Sequence, residues 1–343
     1  MLSETIRTEE ELVEVMTRPR QVLVEYVRTL NGPLVILGAG GKMGPTLAIL
    51  ARRAADAAGS ALEIVAVSRY SDPRARDYLE THGVRTLSAD LMDQAAFARL
   101  PDSENLLYLV GLKFGTSSNP AQTWATNTLV PAYAAERFAR ARIVALSTGN
   151  VYPLVPVMGS GSAEGDPLTP LGEYSNACVA RERIFEYFSL KNSTPVALLR
   201  LSYALDLRYG ILVDIASKVW SGEPVNVAVP QMNCIWQADA SEMIIRSLAL
   251  ATVPPTPLNL VGGQHLPVRQ TALRFGELMG KEVTFTGAEA QTALLSNNAR
   301  LRAALGEPPT AIETVIEWVA SWVMSGGRLL NKPTHFEVRD GRY

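Results

Sequence analysis

The fold is decided by the stretch LVILGAGGKMG, which occupies residues 34–44. Its four leading residues, Leu34–Leu37, are apolar and predict a short buried strand. The segment that follows, Pro45–Ala58, is rich in alanine and leucine and predicts a helix. A strand that enters a helix through a glycine-rich turn is the first unit of many nucleotide-binding sheets.

Three glycines, Gly38, Gly41 and Gly44, recur at intervals of three residues inside this stretch. Glycines so placed give a tight turn, let the backbone approach a pyrophosphate, and let the helix pack on the strand. The N-terminus of the following helix adds free N–H groups and the positive end of the helix dipole. The pattern therefore predicts a dinucleotide-binding turn, to which Lys42 and Met43 also belong.

Short runs of valine, isoleucine and leucine alternate with helical segments over residues 33–203. Such alternation predicts a parallel sheet covered by helices on both faces. The expected fold class is therefore α/β, with a Rossmann-type doubly wound parallel sheet and a smaller C-terminal α/β substrate lobe. After Leu34–Leu37, the predicted strands are Ile64–Val67, Val84–Ser88, Leu106–Val110, Ile143–Leu146 and Val196–Leu199.

Changes of pattern along the chain predict four regions. Residues 1–31 are expected to form a helical arm, 32–203 the NAD(P)-binding domain, 204–330 a substrate lobe interleaved with it, and 331–343 a polar tail. The loop 153–170 is rich in glycine, serine and proline, which predicts a lid or substrate-facing loop.

The end of the second predicted strand bears on the choice of cofactor. At this point an acidic residue binds the ribose hydroxyls of NAD, whereas an arginine accommodates the 2′-phosphate of NADP. The chain has Ser68 there, with Arg69 beside it. NADP is therefore slightly favoured over NAD, the alternative being that Arg69 is an ordinary surface arginine.

Composition excludes several classes of function. The 343 residues are 47% hydrophobic, and 32 Lys and Arg against 34 Asp and Glu give a net charge of −2. A chain without a basic excess is not expected to bind nucleic acid. It contains no apolar run of the roughly 20 residues that a membrane span needs, and its polar, acidic start does not resemble a secretory signal. A cytoplasmic protein with a small-molecule partner is expected.

Metal and disulfide chemistry are also not expected. The two cysteines, Cys178 and Cys234, are too few for a disulfide framework, and His82, His265 and His335 lack metal-ligand spacing.

Beyond the glycine turn, several motifs resemble the extended short-chain dehydrogenases/reductases, the NAD-dependent epimerase/dehydratase group that acts largely on sugars and sugar nucleotides. The resemblance covers about residues 33–325. It implies that Asp90 and Leu91 lie against the adenine, and that Val110 and Gly111, at the end of the fourth strand, lie beside the nicotinamide ribose. Asn127 resembles the helix asparagine of the family.

The same resemblance implies the catalytic residues. The segment STGNVY, residues 147–152, places Thr148 at the catalytic hydroxyl, and Tyr174 follows at the distance of the family's acid/base tyrosine. The family carries a lysine four residues after this tyrosine, one helical turn away, where its charge lowers the pKa of the phenol. In this chain the lysine position holds Cys178, which cannot supply that charge.

Three explanations of this departure stay open. In the first, another cation such as Lys113 reaches the site and replaces the lysine. In the second, Tyr174 positions or donates without full activation, helped by the charge of the oxidised cofactor. In the third, the fold binds NAD(P) but has lost redox catalysis. Cys178 itself is expected to be a small buried residue rather than a reactive thiol.

Substrate contacts are expected from residues near these catalytic positions. Asn150, Tyr152 and Arg208 are assigned to the sugar hydroxyls by analogy with the fold, and Tyr203 is expected to line the cleft or to pack as a core aromatic.

The main functional hypothesis is an NAD(P)-dependent oxidoreductase or epimerase acting on a secondary alcohol of a sugar, sugar acid or nucleotide sugar. The alternative is an NAD(P)-binding sensor or scaffold without redox catalysis. A dehydratase is disfavoured because Gly149 and Asn150 replace the Asp-Glu pair that the family's dehydratases usually carry. The resemblance also permits a homodimer through helices 124–139 and 174–189.

Overall fold

The structure is a computed structural model that describes residues 6–113, 115, 118–332, 334 and 336–342. Its strands are β1 (Leu34–Leu37), β2 (Ile64–Ser68), β3 (Arg85–Ser88), β4 (Asn105–Tyr108), β5 (Arg142–Thr148), β6 (Val155–Pro156), β7 (Val196–Leu201), β8 (Ala204–Leu205), β9 (Val225–Asn226), β10 (Gln231–Met232), β11 (Ile235–Trp236), β12 (Thr256–Leu260), β13 (Leu266–Pro267), β14 (Phe285–Thr286) and β15 (Thr292–Ala293).

Helices connect and cover these strands. They are α1 (Glu9–Met16), α2 (Gln21–Val27), α3 (Gly44–Ala57), α4 (Pro73–Thr81), α5 (Pro120–Arg137), α6 (Gly172–Asn192), α7 (Ile211–Ser221), α8 (Gln237–Arg246), α9 (Val268–Met279), α10 (Ala299–Leu305) and α11 (Ile312–Met324), with 3₁₀ turns at Gln94–Arg99, Gly149–Val151 and Ser247–Leu250.

Among the described residues, seven strands form one parallel sheet in the order β12-β7-β5-β4-β1-β2-β3. The chain passes from β1 outward to β3 and then returns to the other side of β1 with β4. The order therefore reverses between β1 and β4, which is where doubly wound sheets bind ligands at the carboxyl ends of their strands. This confirms the predicted Rossmann-type α/β fold.

Strand β1 shows why the sheet is covered on both faces. All four of its residues are buried, and their side chains alternate between two apolar cores. Ile36 packs in one core with Leu47 of α3. Val35 and Leu37 pack in the other core, with Val130 of α5.

The edge strand β12 comes from a later part of the chain than the other six. It pairs in parallel with β7, Leu258 opposite Leu199, although the sequence placed this segment in the irregular region after residue 203. The sheet is therefore completed by residues that follow much of the C-terminal lobe.

A third apolar core lies outside the sheet. Its main helices are α7, α9 and α11, which contribute Ile215, Phe275 and Trp322, and its strands occur in two-stranded pairs. Helix α1 adds Leu12 and Met16 to this core.

The N-terminal arm is tied to the rest of the protein by ion pairs as well as by apolar packing. Arg20 pairs with the buried carboxylate of Glu242 on α8, and Thr8 and Glu11 form a capping box that starts α1. Within the described part of the chain, no helix combines the length and apolar character needed to cross a membrane.

Candidate active site

The predicted glycine turn joins β1 to α3 as expected. Helix α3 starts at Gly44, with a proline in its first turn and no side chain capping its N-terminus. A Cβ at Gly44 would lie 2.3 Å from the carbonyl oxygen of Ala39, so only glycine lets the helix start this close to the turn. The N–H groups at the start of α3 are therefore available to an anion at the carboxyl end of β1.

The residues assigned to the adenine half of a cofactor lie at the neighbouring strand ends. The Ser68 side chain abuts Gly40 of the turn, and Arg69 is exposed. Beyond β3, Asp90 is exposed and accepts a hydrogen bond from the backbone N–H of Met92 at 3.0 Å, while Leu91 is buried.

One cavity, here called the central cavity, joins the glycine turn to the assigned catalytic residues. Lys42 and Met43 of the turn line it together with Thr148 and Tyr174, and further lining comes from Lys113, Asn150, Tyr203 and Tyr209. The structure thus places the glycine turn, the hydroxyl of Thr148 and the phenol of Tyr174 around a single space.

Thr148 and Tyr174 come into contact because the C-terminal end of β5 and the N-terminal end of α6 lie side by side in space. Thr148 is the last residue of β5, and its hydroxyl accepts the backbone N–H of Asn150 at 3.2 Å. Tyr174, in the first turn of α6, hydrogen-bonds through its side chain to those of Thr148 and Cys178. Burial raises the pKa of Tyr174 above its ordinary value, and the hydrogen bond from Thr148 opposes that rise.

Two lysines give the central cavity its positive charge. Burial lowers the pKa of Lys42 to about 8, reinforced by the nearby charges of Lys332 and Lys113. Burial also lowers the pKa of Lys113 to about 8. The ammonium of Lys42 lies 3.2 Å from the ring centre of Tyr209, a cation–π contact inside the cavity.

Cys178, which stands where the family has its lysine, is a buried, neutral thiol. Its pKa is raised by burial, and its side chain hydrogen-bonds to that of Tyr174. The Nη2 of Arg181 donates to its sulfur at 3.5 Å. Sequence reasoning missed Arg181, although its place seven residues after Tyr174 puts it two helical turns along the same face of α6.

Asn127, on α5, hydrogen-bonds to the loop that follows β4. Its side-chain amide donates to the carbonyl of Leu112 at 3.2 Å and to that of Thr123 at 2.9 Å, and its oxygen accepts from Arg181. Asn127 thus holds the segment that contains Val110 and Gly111.

Tyr152 is a buried member of a polar network. Its hydroxyl donates to Asn259 at 2.8 Å and accepts from Arg200 at 2.6 Å. Arg200 forms a buried ion pair with Glu182, at 2.7 Å, and Glu182 also accepts from Ser147. The network connects β5, α6, β7 and β12 beneath the cavity.

Of the two remaining assigned residues, only Tyr203 lines the central cavity. Tyr203 has a backbone φ of 38°, a strained conformation for a bulky residue. Arg208 lines a different cavity, and its guanidinium pairs with Asp206 at 2.7 Å and Glu9 at 3.4 Å.

The C-terminal segment, residues 334 and 336–342, also reaches the site, which the sequence did not indicate. Thr334 lines the central cavity, and Phe336 and Arg339 line an adjoining one that shares Lys113 and Tyr203 with it. Other contacts hold the segment in place: the Thr334 N–H donates to Asp214 at 3.1 Å, the Arg339 Nη1 donates to the Thr292 carbonyl at 2.7 Å, and Gly341 packs against Gly172 at the start of α6.

Among the described residues, no group of three or more His, Cys, Asp and Glu side chains could hold a metal ion. His335 lies outside the described residues.

Comparison with known proteins gives a family and a set of structural neighbours. The model of the NAD dependent epimerase/dehydratase family matches residues 34–205, half of the chain. No match is found among curated protein sequences.

Solved structures share the fold at low sequence identity. An epimerase from Methanothermobacter thermautotrophicus is 16% identical, covers 89% of this chain and 96% of its own, and has a TM-score of 0.72. UDP-glucose 4-epimerase from Thermotoga maritima with UDP-glucose is 16% identical, with coverages of 86% and 99% and a TM-score of 0.68. A tyrosine-to-phenylalanine variant of UDP-glucuronic acid 4-epimerase from Bacillus cereus, with a fluorinated UDP-glucuronic acid and NAD, is 12% identical, with coverages of 85% and 99% and a TM-score of 0.70.

Proposed function

The chain belongs to the NAD dependent epimerase/dehydratase family of enzymes, and we propose that it is an NAD(P)-dependent oxidoreductase or epimerase acting on a secondary alcohol of a sugar, sugar acid or nucleotide sugar. One observation carries the proposal: the glycine turn, Thr148 and Tyr174 line the same cavity at the point where the strand order reverses. Structural neighbours that contain a UDP-sugar, with or without NAD, support the substrate class.

The residues of the turn fit a dinucleotide. The uncapped start of α3 offers N–H groups to the pyrophosphate, and Gly44 lets the helix approach closely. Ser68 and Arg69 would lie at the adenine ribose, and Val110 and Gly111 at the other end of the cofactor. When bound, the nicotinamide ring supplies the hydride acceptor or donor.

We further propose that NADP is preferred, because Ser68 offers no carboxylate to the ribose and Arg69 is exposed beside it. Replacing Arg69 with alanine is expected to weaken NADP binding by about tenfold and to leave NAD binding within about twofold, since one charge-assisted contact is lost. Titration of each cofactor by calorimetry measures this. Equal losses for both cofactors would contradict the preference.

The proton is handled by Tyr174 and Thr148. In the oxidation direction the substrate hydroxyl gives its proton to the phenolate of Tyr174 while its carbon gives up a hydride. Thr148 hydrogen-bonds to Tyr174 and orients the same hydroxyl. Burial holds Tyr174 protonated in the free protein, so catalysis needs positive charge close to it.

Lysines supply part of that charge from the cavity. Lys113 lines the central cavity with Tyr174, which supports the hypothesis that it compensates for the missing lysine. Lys42 lies in the turn and would face the phosphates of the cofactor or substrate. Asn150 and Tyr203, also on the cavity wall, are proposed to contact the substrate.

A substrate panel tests the proposal. Wild type would be incubated with NAD or NADP and a set of aldoses, uronates and nucleotide sugars, with product epimers detected by NMR and cofactor reduction by absorbance. Tyr174→Phe is expected to lower kcat by about a hundredfold or more, as the loss of a general acid/base does. Tyr187→Phe is the matched control, because Tyr187 lies on the same helix but is 59% exposed.

The same panel separates the enzyme from a cofactor-binding sensor. The sensor hypothesis is favoured by one observation, a neutral Cys178 at the lysine position. Tight cofactor binding with no turnover of any substrate would support it and contradict the proposed enzyme. Turnover that Tyr174→Phe abolishes would exclude it.

A further inference from the structure

We propose that Arg181 supplies the larger share of the positive charge at the proton-transfer site, ahead of Lys113, and that it acts on Tyr174 through the thiol of Cys178 as a positioning residue. The inference rests on the proposed function and identifies the cation that contributes most in place of the missing lysine.

Helix geometry lines up the three residues. Tyr174, Cys178 and Arg181 stand at intervals of four and three residues on one face of α6. The side chains of Tyr174 and Cys178 hydrogen-bond to each other, and the Nη2 of Arg181 donates to the Cys178 sulfur at 3.5 Å. An unbroken chain of contacts therefore leads from the cavity to the guanidinium.

Arg181 is buried, with 4% of its surface exposed, and its hydrogen-bond acceptors are neutral. Nη1 donates to the carbonyl of Leu146 at 2.7 Å, and Nη2 donates to the amide oxygen of Asn127. Within the described residues, its Nε has no hydrogen-bond partner. A buried charge that lacks a bonded carboxylate is unfavourable for folding, and such charges mark functional sites.

The surrounding charges leave Arg181 available to Tyr174. Glu182, its neighbour on α6, is bound to Arg200 and Ser147. Tyr108 on β4 is neutral, because burial raises its pKa. Two lysines line the cavity with Tyr174: Lys113, in the loop after β4, and Lys42, in the glycine turn.

The backbone is shaped to admit the guanidinium. A Cβ at Gly111 would lie 2.9 Å from the Nη2 of Arg181, so glycine at this position makes room for it. The guanidinium of Arg181 therefore reaches from α6 to the backbone just after the end of β4.

The thiol serves as a neutral bridge. Burial raises the pKa of Cys178, so it keeps its proton. While Tyr174 is neutral its phenol donates to the sulfur, and once the phenolate forms, the thiol proton can turn toward it and donate a hydrogen bond. The guanidinium, donating to the same sulfur, strengthens that donor. The interaction grows as negative charge forms on Tyr174, which is the condition for stabilising the transition state rather than the ground state.

A direct titration of Tyr174 tests the proposal without requiring turnover. Protein labelled with 3-fluorotyrosine would be titrated by ¹⁹F NMR, with the Tyr174 resonance assigned by its absence in Tyr174→Phe. Arg181→Met is expected to move the midpoint upward by about one pH unit or more, and Arg181→Lys by clearly less, because charge is lost only in the first. Arg137→Met is the matched control, since Arg137 also donates to backbone carbonyls, at Phe97 and Leu100.

Lys113→Met distinguishes the two cations. A smaller midpoint shift in Lys113→Met than in Arg181→Met supports Arg181. Three results would overturn the proposal. The first is an unchanged midpoint in Arg181→Met, and the second is a larger shift in Lys113→Met. The third is a Tyr174 resonance that shows no ionisation in any variant up to the highest pH at which the protein stays folded. If Arg181→Met does not fold, Cys178→Ala, with Cys234→Ala as control, removes the bridge and is expected to raise the midpoint in the same direction.

Kinetics then connect the charge with catalysis. Arg181→Met is expected to lower kcat at neutral pH by about tenfold, with KM changed less than about threefold, and to recover at higher pH. Adding Cys178→Lys to Arg181→Met should restore activity if charge is what was lost, and fails to do so if Arg181 is only structural. Midpoint shifts without turnover in wild type would leave the Arg181 proposal standing while the proposed enzyme fails.

Discussion

Two residues that belong to no common sequence motif, Lys113 and Arg181, bring positive charge near Tyr174. Lys113 lines the cavity with the phenol, and Arg181 reaches it from the protein interior through Cys178. Cys178 thus replaces the family's lysine, but a cation, Arg181, still lies within two helical turns of Tyr174 on the same helix. Under the proposed function, Tyr174 carries out the family's acid/base chemistry with Lys113 and Arg181, instead of the motif lysine, as the nearby positive charges.

Individual side chains were predictable only where a motif fixes them. The sequence predicts Thr148 and Tyr174 as the catalytic pair, because their spacing follows a family pattern, and it offers Lys113 as one replacement for the lysine; the structure brings the three residues to one cavity. It does not identify Arg181, since a single arginine on an amphipathic helix usually faces solvent. It also assigns Tyr152 to the sugar, whereas the hydroxyl of Tyr152 is engaged by Arg200 and Asn259.

Lys42 is expected to make cofactor binding depend on pH. With a pKa of about 8, its ammonium is charged below that pH and neutral above it. Affinity for NAD(P), which carries a pyrophosphate, should therefore fall as pH rises through about 8. Binding titrations between neutral and alkaline pH measure this. Lys42→Met should weaken binding by about tenfold at neutral pH and flatten the profile.

Exposed Lys281 offers the control for that prediction. Lys281→Met should leave both the affinity and its pH dependence unchanged. A Lys42→Met protein that binds the cofactor as wild type does at every pH would contradict the role of Lys42.

Asp239 is expected to make the protein less stable as pH rises from about 4 through about 6. Burial raises the pKa of this carboxyl from 3.8 to about 6, against hydrogen bonds from Thr310. Its stabilising contribution is complete below the unfolded pKa and is lost as pH rises through about 6. The difference corresponds to about 3 kcal/mol.

Denaturant unfolding of Asp239→Asn at several pH values measures the effect. Relative to this variant, wild type should lose stability between pH 4 and pH 7. Asp77→Asn, at an exposed position, is the control. A constant difference between Asp239→Asn and wild type across this range would refute the prediction.

At the scale of elements, the strand–turn–helix unit was predicted well because local patterns specify it. Leu34–Leu37 is the strand that the apolar run indicates, and α3 begins within one residue of the predicted helix. By contrast, the assignment of β12 to the main sheet depends on a long-range pairing with β7 that no local pattern reveals. For the C-terminal segment the sequence predicts only a polar tail, because a segment that is held by scattered side-chain contacts shows no periodicity.

Gly44 is expected to be essential for the turn. In Gly44→Ala the new methyl group would meet the backbone of Ala39 at 2.3 Å, and backbone cannot rotate away as a side chain can. The variant should bind NAD(P) about tenfold or more weakly and unfold several degrees lower, since the start of α3 must move. Calorimetry and thermal unfolding measure both quantities.

Gly165→Ala is the matched control, because a Cβ at Gly165 meets nothing within 4 Å. This variant should keep wild-type affinity. Normal cofactor binding by Gly44→Ala would mean that the turn is not the phosphate site.

At the scale of the whole molecule, the sheet and the third apolar core, that of the C-terminal lobe, meet along the central cavity, with Thr334 of the C-terminal segment on its wall. The sequence predicted the sheet and a smaller lobe, because composition and alternation are global signals. We propose that the lobe supplies the substrate side of the cavity through Tyr203 and Tyr209. Which residues of the lobe reach the cavity could not be predicted, since they come from distant parts of the chain.

Helices α5 and α6 are expected to form a dimer interface. They leave large apolar side chains partly exposed, among them Leu129 at 44%, Tyr187 at 59% and Leu190 at 57%. Light scattering after size-exclusion chromatography should give the mass of a dimer. A double substitution, Tyr187→Glu with Leu190→Glu, should give the monomer mass, whereas Leu273→Glu on α9 should not. A monomeric wild type would contradict the prediction.

The central claim is that Tyr174 exchanges a proton with a sugar-type alcohol while hydride moves to or from a cofactor held at the glycine turn. The most direct measurement is a single-turnover stopped-flow experiment at 340 nm, with enzyme and oxidised cofactor in excess over each substrate of the panel. The account predicts a transient or lasting rise in absorbance with at least one sugar or nucleotide sugar, slowed about a hundredfold or more in Tyr174→Phe and unchanged in Tyr187→Phe. No absorbance change with any substrate despite bound cofactor, or equal rates in wild type and Tyr174→Phe, would contradict it.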